Sequence, residues 1–213
     1  MPSDFFKLII LAAVTGFLIY KLYITLGQKV GFEPSSESKS VNSPVTPETV
    51  SEVPDVPEAI SALPEAVQAA IREIQQFDPS FTLKSFLSGA TQAFEIIIDS
   101  FAKNDLKTLK DLLAPDVFDE FKASIEEREK HGEVLETTLV KFESVDLTDG
   151  EIKDQKALLT VTFQTEQIHI TRDKKGEIID GNPQQIEQLI DTWVFERSLS
   201  SRNPNWILVK TTV

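Results

Sequence analysis

Few residues in this chain have the type and spacing that chemistry needs. His131 and His169 are its only histidines, and cysteine is absent. A metal centre or a nucleophilic triad needs several convergent partners, and two separated histidines do not supply them. No metal, cofactor or catalytic residue is therefore expected. His131 falls at the end of a helical stretch, where a cation suits the macrodipole. His169 lies between Ile168 and Ile170 and should face the opposite side of a strand from both. Asp119-Glu120 and Glu126-Glu127 are neighbouring carboxylates on helices. Adjacent helical positions point about 100° apart, so these pairs read as solvated faces rather than as acid–base machinery.

Asp191 and Arg197 stand apart. They share one strand parity with Trp193 and Phe195. On an inner face, Asp191 could act as a general base with a raised pKa. The same residues also read as a structural ion pair, with Arg128 or Arg172 as further partners. Phe94, Phe163, Asp191, Trp193, Phe195, Arg197 and Trp206 are the candidate lining of a pocket, although aromatics at strand spacing more often form plain core.

The elements that would position these groups follow a clear order. The first is an apolar run, Leu8 to Tyr20, widened by Phe5, Phe6, Leu22, Tyr23, Ile24 and Leu26. It approaches the roughly 20 residues that a helix needs to cross a bilayer. Lys7 and Lys21 lie near its ends, and Phe5, Phe6, Tyr20 and Tyr23 sit where interfacial aromatics belong. The start, Met-Pro-Ser-Asp, and the missing Ala-x-Ala pattern argue against a cleaved signal peptide. An uncleaved transmembrane anchor over 1–30 is expected. Lys21 and Lys29 after the run outnumber Lys7 before it, which places the remainder on the cytoplasmic side. Ala12 and Gly16 form a single small-xxx-small pair, a weak signal for helix pairing.

Residues 31–63 carry Pro34, Pro44, Pro47, Pro54 and Pro57 among Ser, Thr, Val and acidic residues, without apolar periodicity. Such a stretch buries too little to offset its ordering entropy and reads as a disordered acidic linker. The chain as a whole has a formal net charge of -13, a field that repels nucleic acid. Hydrophobic residues make up 41%, enough for one packed domain over 64–213.

Pro64 to Gln76 has helical spacing at Val67, Ile71 and Ile74, and docking on its own domain is the simplest role for it. Asp78-Pro79-Ser80 breaks the chain. Thr82 to Ala102 is the strongest helix, with Leu83, Phe86, Leu87, Ala90, Phe94, Ile97, Ile98 and Phe101 in one stripe. Asn104-Asp105 caps a helix over Leu106 to Leu113, which Ala114-Pro115 stops. Asp116 caps another over Val117 to Lys130, closed by His131-Gly132.

The period then changes to two. Thr138, Val140 and Phe142 alternate, Asp149-Gly150 signals a turn, and Leu159, Val161 and Phe163 alternate again with Ile168 and Ile170 continuing. Asp173 to Gly176 turns, Leu189 to Arg197 is a third strand, and Trp206 to Thr212 a last one. The expected class is α+β: helices packed on a curved antiparallel sheet of about four strands, a half-open cone able to hold a pocket.

These stretches resemble a known family. Phe86-Leu-Ser-Gly-Ala90, Ala93-Phe-Glu-Ile-Ile97, Phe101-Ala-Lys-Asn-Asp105, Leu109-Lys-Asp-Leu-Leu113, Val117-Phe-Asp-Glu-Phe121, Ile125-Glu-Glu-Arg128 and Thr171-Arg-Asp-Lys-Lys-Gly176 carry the likeness. Asp191-Thr-Trp-Val-Phe-Glu-Arg197 and Asn203-Pro-Asn-Trp206-Ile-Leu208 complete it. Together they resemble the Tim forty-four-like domain family, and the short, singly anchored layout is similar to its bacterial TimA-type branch.

The resemblance implies a nuclear-transport-factor-two-like cone, a superfamily in which some isomerases use an inner carboxylate. It also implies residence at the bacterial inner membrane and a non-enzymatic adaptor role in protein translocation or membrane-protein biogenesis. Partners implied are the lipid bilayer and translocase, chaperone or ribosome-associated proteins. Mitochondrial relatives recruit a seventy-kilodalton heat-shock chaperone through a long charged segment; the acidic linker here does not resemble it. Binding of a lipid or apolar small molecule in the cone pocket, and isomerase-like chemistry at Asp191, are the other two functions in view.

Overall fold

The computed structural model describes residues 60–201 and 203–212. The expected anchor, with Phe5, Phe6, Tyr20, Lys21 and Tyr23, lies outside the described residues, as does the linker up to residue 59. Among the described residues no helix is long and apolar enough to cross a membrane.

Four α-helices precede the sheet. A short 3-10 turn, Ile60–Ala62, leads into α1, Glu65–Phe77. Ile60 and Leu63, in the segment expected as linker, pack against the core. Pro64 holds the cap position just before α1, where its missing N–H costs nothing. Val67, Ala70, Ile71 and Ile74 form the buried stripe of α1, so it docks on its own domain.

Helix α2, Leu83–Ala102, is capped by Thr82, whose Oγ1 accepts from Ser85 N at 3.2 Å. Helix α3, Leu106–Leu112, is capped by Asp105, which accepts from Thr108 N at 3.1 Å. Helix α4 spans Pro115–His131. Pro115 opens α4 rather than merely ending α3, and Ala114, not Asp116, holds the cap position. Gly132 ends α4 at φ 70, the left-handed conformation that suits glycine, with Glu133 N donating to Arg128 O at 2.9 Å.

The sheet has five strands, not four: β1 Val134–Lys153, β2 Lys156–Arg172, β3 Ile178–Gly181, β4 Glu187–Ser198 and β5 Ile207–Thr212. All pairings are antiparallel, in the order β1-β2-β4-β5, with β3 also on β2. Strand β2 is long enough to pair β4 through Lys156–Gln167 and β3 through Ile170–Arg172 along one edge. The sheet stays open rather than closing into a barrel.

Two local readings are corrected. Asp149-Gly150 is not a turn: it continues β1, pairing with Thr160 and Leu159. The hairpin turns at Asp154-Gln155, at φ 50 and 60, the mirror-image geometry that matches strand twist. Ile168 and Ile170 do not continue the face of Phe163. The register shifts fall on β1, so β2 alternates without interruption and its even positions face away from the core. Ile170 is buried yet stands outside the main core cluster.

That core lies between α2 and the odd-numbered face of β2 and β4. Phe94 of α2 sits 4.6 Å from Phe163 and 4.6 Å from Trp193, centroid to centroid. Leu159, Val161 and Phe195 extend the layer. Burying a large apolar side chain of this kind contributes on the order of 2 kcal/mol, so these rings anchor the helix to the sheet.

Candidate functional site: an aromatic cavity beside a half-buried ion pair

The link from α1 to α2, one flank of α2, the end of α3, the far half of β4 and the loop before β5 enclose a cavity of about 500 Å³. Its apolar wall includes Phe81, Phe86, Phe195 and Trp206; Gly89, Ala90 and Ala93 of α2 leave it open by their small size. Its polar wall includes Asp78, Asp111, Arg197 and Asn205.

The elements bring these groups together for simple reasons. Asp78 ends α1, its N–H donating to Ile74 O at 2.8 Å, and its carboxylate turns the chain by accepting from Ser80 N at 3.1 Å. Strand alternation puts Arg197 on the inner face with Phe195. Arg197 Nη1 then donates to Asp78 Oδ2 at 2.9 Å. Only 10% of the Arg197 side chain is exposed. The Ser80 hydroxyl and then Arg197 hold the Asp78 carboxyl below its ordinary range.

Three of the seven expected pocket residues, Phe195, Arg197 and Trp206, line this cavity. Phe94, Phe163 and Trp193 do not; they are fully packed core. Asp191 lies opposite Phe163 across the β2–β4 pairing and is not in the cavity lining either. It pairs with neither Arg197 nor the other expected cations. Arg128 donates to Phe101 O and Asn104 Oδ1, each at 2.7 Å, and covers the Phe101 ring. Arg172 donates to Glu136 at 2.8 Å.

With no cation beside it among the described residues, burial pushes the Asp191 carboxyl up to about 6. The Trp193 indole pulls weakly the other way; its buried Nε1 completes no hydrogen bond among the described residues.

The remaining candidates stay apart. His131 is exposed between Glu127 and Glu133, while His169 stands 3.7 Å from Glu187 on β4. Glu126 and Glu127 face solvent beside Lys122 and Lys130, and Asp119 and Glu120 are exposed. No group of three metal-capable side chains occurs among the described residues. Sequence reasoning missed Asp78, Phe81 and Asp111. Asp78 read only as part of a helix break, and nothing in its spacing announces a partner in a strand more than a hundred residues away.

The model of the Tim44-like domain matches residues 67–213. The chain belongs to the Tim44-like domain family. The mitochondrial import inner membrane translocase subunit TIM44 of Rattus norvegicus is 27% identical over 135 residues, which are 63% of this chain and 30% of that protein. The chain thus spans about a third of the length of that mitochondrial relative. An uncharacterized protein of Rickettsia prowazekii is 22% identical over 98% of this chain and 97% of its own length. Among solved structures, the intermembrane space region of the chloroplast protein ARC6 gives a TM-score of 0.43 at 16% identity, covering 63% of this chain and 97% of that one. The matched Tim44-like region begins inside α1 and takes in the cavity and every strand.

Proposed function

We propose that this Tim44-like protein is a membrane-anchored, non-enzymatic adaptor that holds partner proteins at the inner membrane. The observation that carries the reading is the family match across all of the sheet and cavity, together with relatives named as translocase subunits. The apolar run Phe5 to Leu26 supplies the anchor and the acidic stretch up to Ile60 the tether, with the folded domain on the cytoplasmic side. Translocase, chaperone or ribosome-associated proteins are the partner classes the family suggests. Photo-crosslinkers at Asp111 and Asn205 in the full chain, activated in native membranes, test this. Recovery of a translocase, chaperone or ribosomal component supports the adaptor; adducts to lipid alone overturn it.

The cavity favours a second reading, a binding site for a lipid or apolar small molecule. Its volume of about 500 Å³ falls within the ordinary range of ligand pockets. Native mass spectrometry of the full chain, released from detergent, should show a retained apolar ligand that a Trp206→Leu variant loses. Absence of any added mass on the unsubstituted protein, or the same added mass on both proteins, counts against this reading.

A further inference from the structure

We propose that this cavity takes an organic cation of the trimethylammonium class, seated against Phe81, Phe86 and Trp206 with Asp111 as its counter-charge. The inference rests on the reading of the cavity as a ligand site and names the chemistry that site selects.

The charges facing the cavity are Asp78, Arg197 and Asp111. Asp78 and Arg197 cancel each other across 2.9 Å. Asp111 is exposed on α3 and forms no ion pair with any described residue. One negative charge is left over, within a chain of net charge -13. An anion is therefore disfavoured. The charge of Arg197 is already matched, its Nη1 donating to Asp78 at 2.9 Å.

The apolar wall completes the selection. The rings of Phe81 and Phe86 stand 6.1 Å apart, those of Phe81 and Trp206 6.1 Å, and those of Phe86 and Trp206 4.8 Å. They are inclined at 42°, 49° and 62°, with Phe86 and Trp206 meeting edge to face, and Phe81 and Phe86 are 7% and 6% exposed, so Trp206 offers most of the open ring surface. Trp206 is only half-buried. Ring faces attract cations, and a methylated ammonium is attracted at small desolvation cost, whereas a primary ammonium is strongly hydrated. A neutral apolar guest would satisfy the rings but gain no attraction from Asp111.

The test is calorimetric titration of the full chain in choline-free detergent with choline and with its neutral carbon isostere, in which tert-butyl replaces trimethylammonium. Choline is expected to bind about tenfold more tightly than the isostere. Asp111→Asn, at an exposed position, should weaken choline about fivefold and leave the isostere unchanged. Trp206→Leu should weaken both. Short-chain phosphatidylcholine binding above choline assigns the cation to a lipid headgroup, and equal binding assigns a free cation; either supports the proposal. Equal affinity for choline and isostere, or an Asp111→Asn variant with unaltered choline binding, overturns the cation and leaves the cavity reading standing. No binding of either compound overturns the cation proposal, while the mass-spectrometric test decides the cavity reading separately.

Discussion

Asp191 is the residue at which burial dominates over pairing. Its carboxyl has an ordinary value of 3.8 and titrates at about 6 in the folded chain. Between those values the folded state holds the proton more tightly, so stability falls as pH rises through that window. Below it the carboxyl is protonated in both states and the penalty vanishes. Asp191→Asn is expected to stabilise the protein above pH 6, by about 3 kcal/mol at most, and to flatten this part of the pH profile. Urea unfolding of both proteins from acid to neutral pH measures it; equal midpoints at neutral pH refute the account.

The Asp78–Arg197 pair makes a second prediction, one of rank. Asp78→Ala strands a guanidinium that is almost wholly inside, whereas Arg197→Met removes that buried charge and leaves Asp78 near solvent and Ser80. The alanine variant should therefore have the lower urea midpoint. At this scale the sequence was partly legible. Strand parity placed Phe195 and Arg197 on the inner face, but the partner of Arg197 depends on where α1 ends in space, which no local pattern encodes.

Elements were legible where their period was strong. The stripe of α2 and the alternation of β2 and β4 are visible because each buries one face. The β1–β2 hairpin was misplaced because Asp149-Gly150 carries turn chemistry but serves packing. A Cβ on Gly150 would lie 2.9 Å from Ala70 Cβ and 3.2 Å from the Val67 backbone. Glycine is there so that α1 can approach β1, not so that the chain can reverse. Gly150→Ala should cost about 1–3 kcal/mol through overpacking, read as a lowered melting temperature, with faster amide exchange concentrated in α1. Uniform exchange acceleration across all strands would contradict this localisation. Strand β3 was invisible for a different reason: all four of its residues are exposed, so it has no buried face to leave a period.

For the molecule as a whole, the anchor reading sets the expectation. The full chain should remain in the membrane pellet after alkaline carbonate extraction, and a variant lacking residues 2–26 should pass to the supernatant. Full release of the intact chain would refute the anchor. The close seating of α1 on β1 then has a mechanical meaning. If a membrane holds the leading segment while a client tugs on the domain, tension enters at Ile60 and meets α1 before it meets any strand. Val67, Ile71 and Ile74 are each 0% exposed, and the Asp78–Arg197 contact rivets the far end of α1 to β4. Under such a load α1 would be the first element to bear the force, and its buried stripe and that contact are what would resist it.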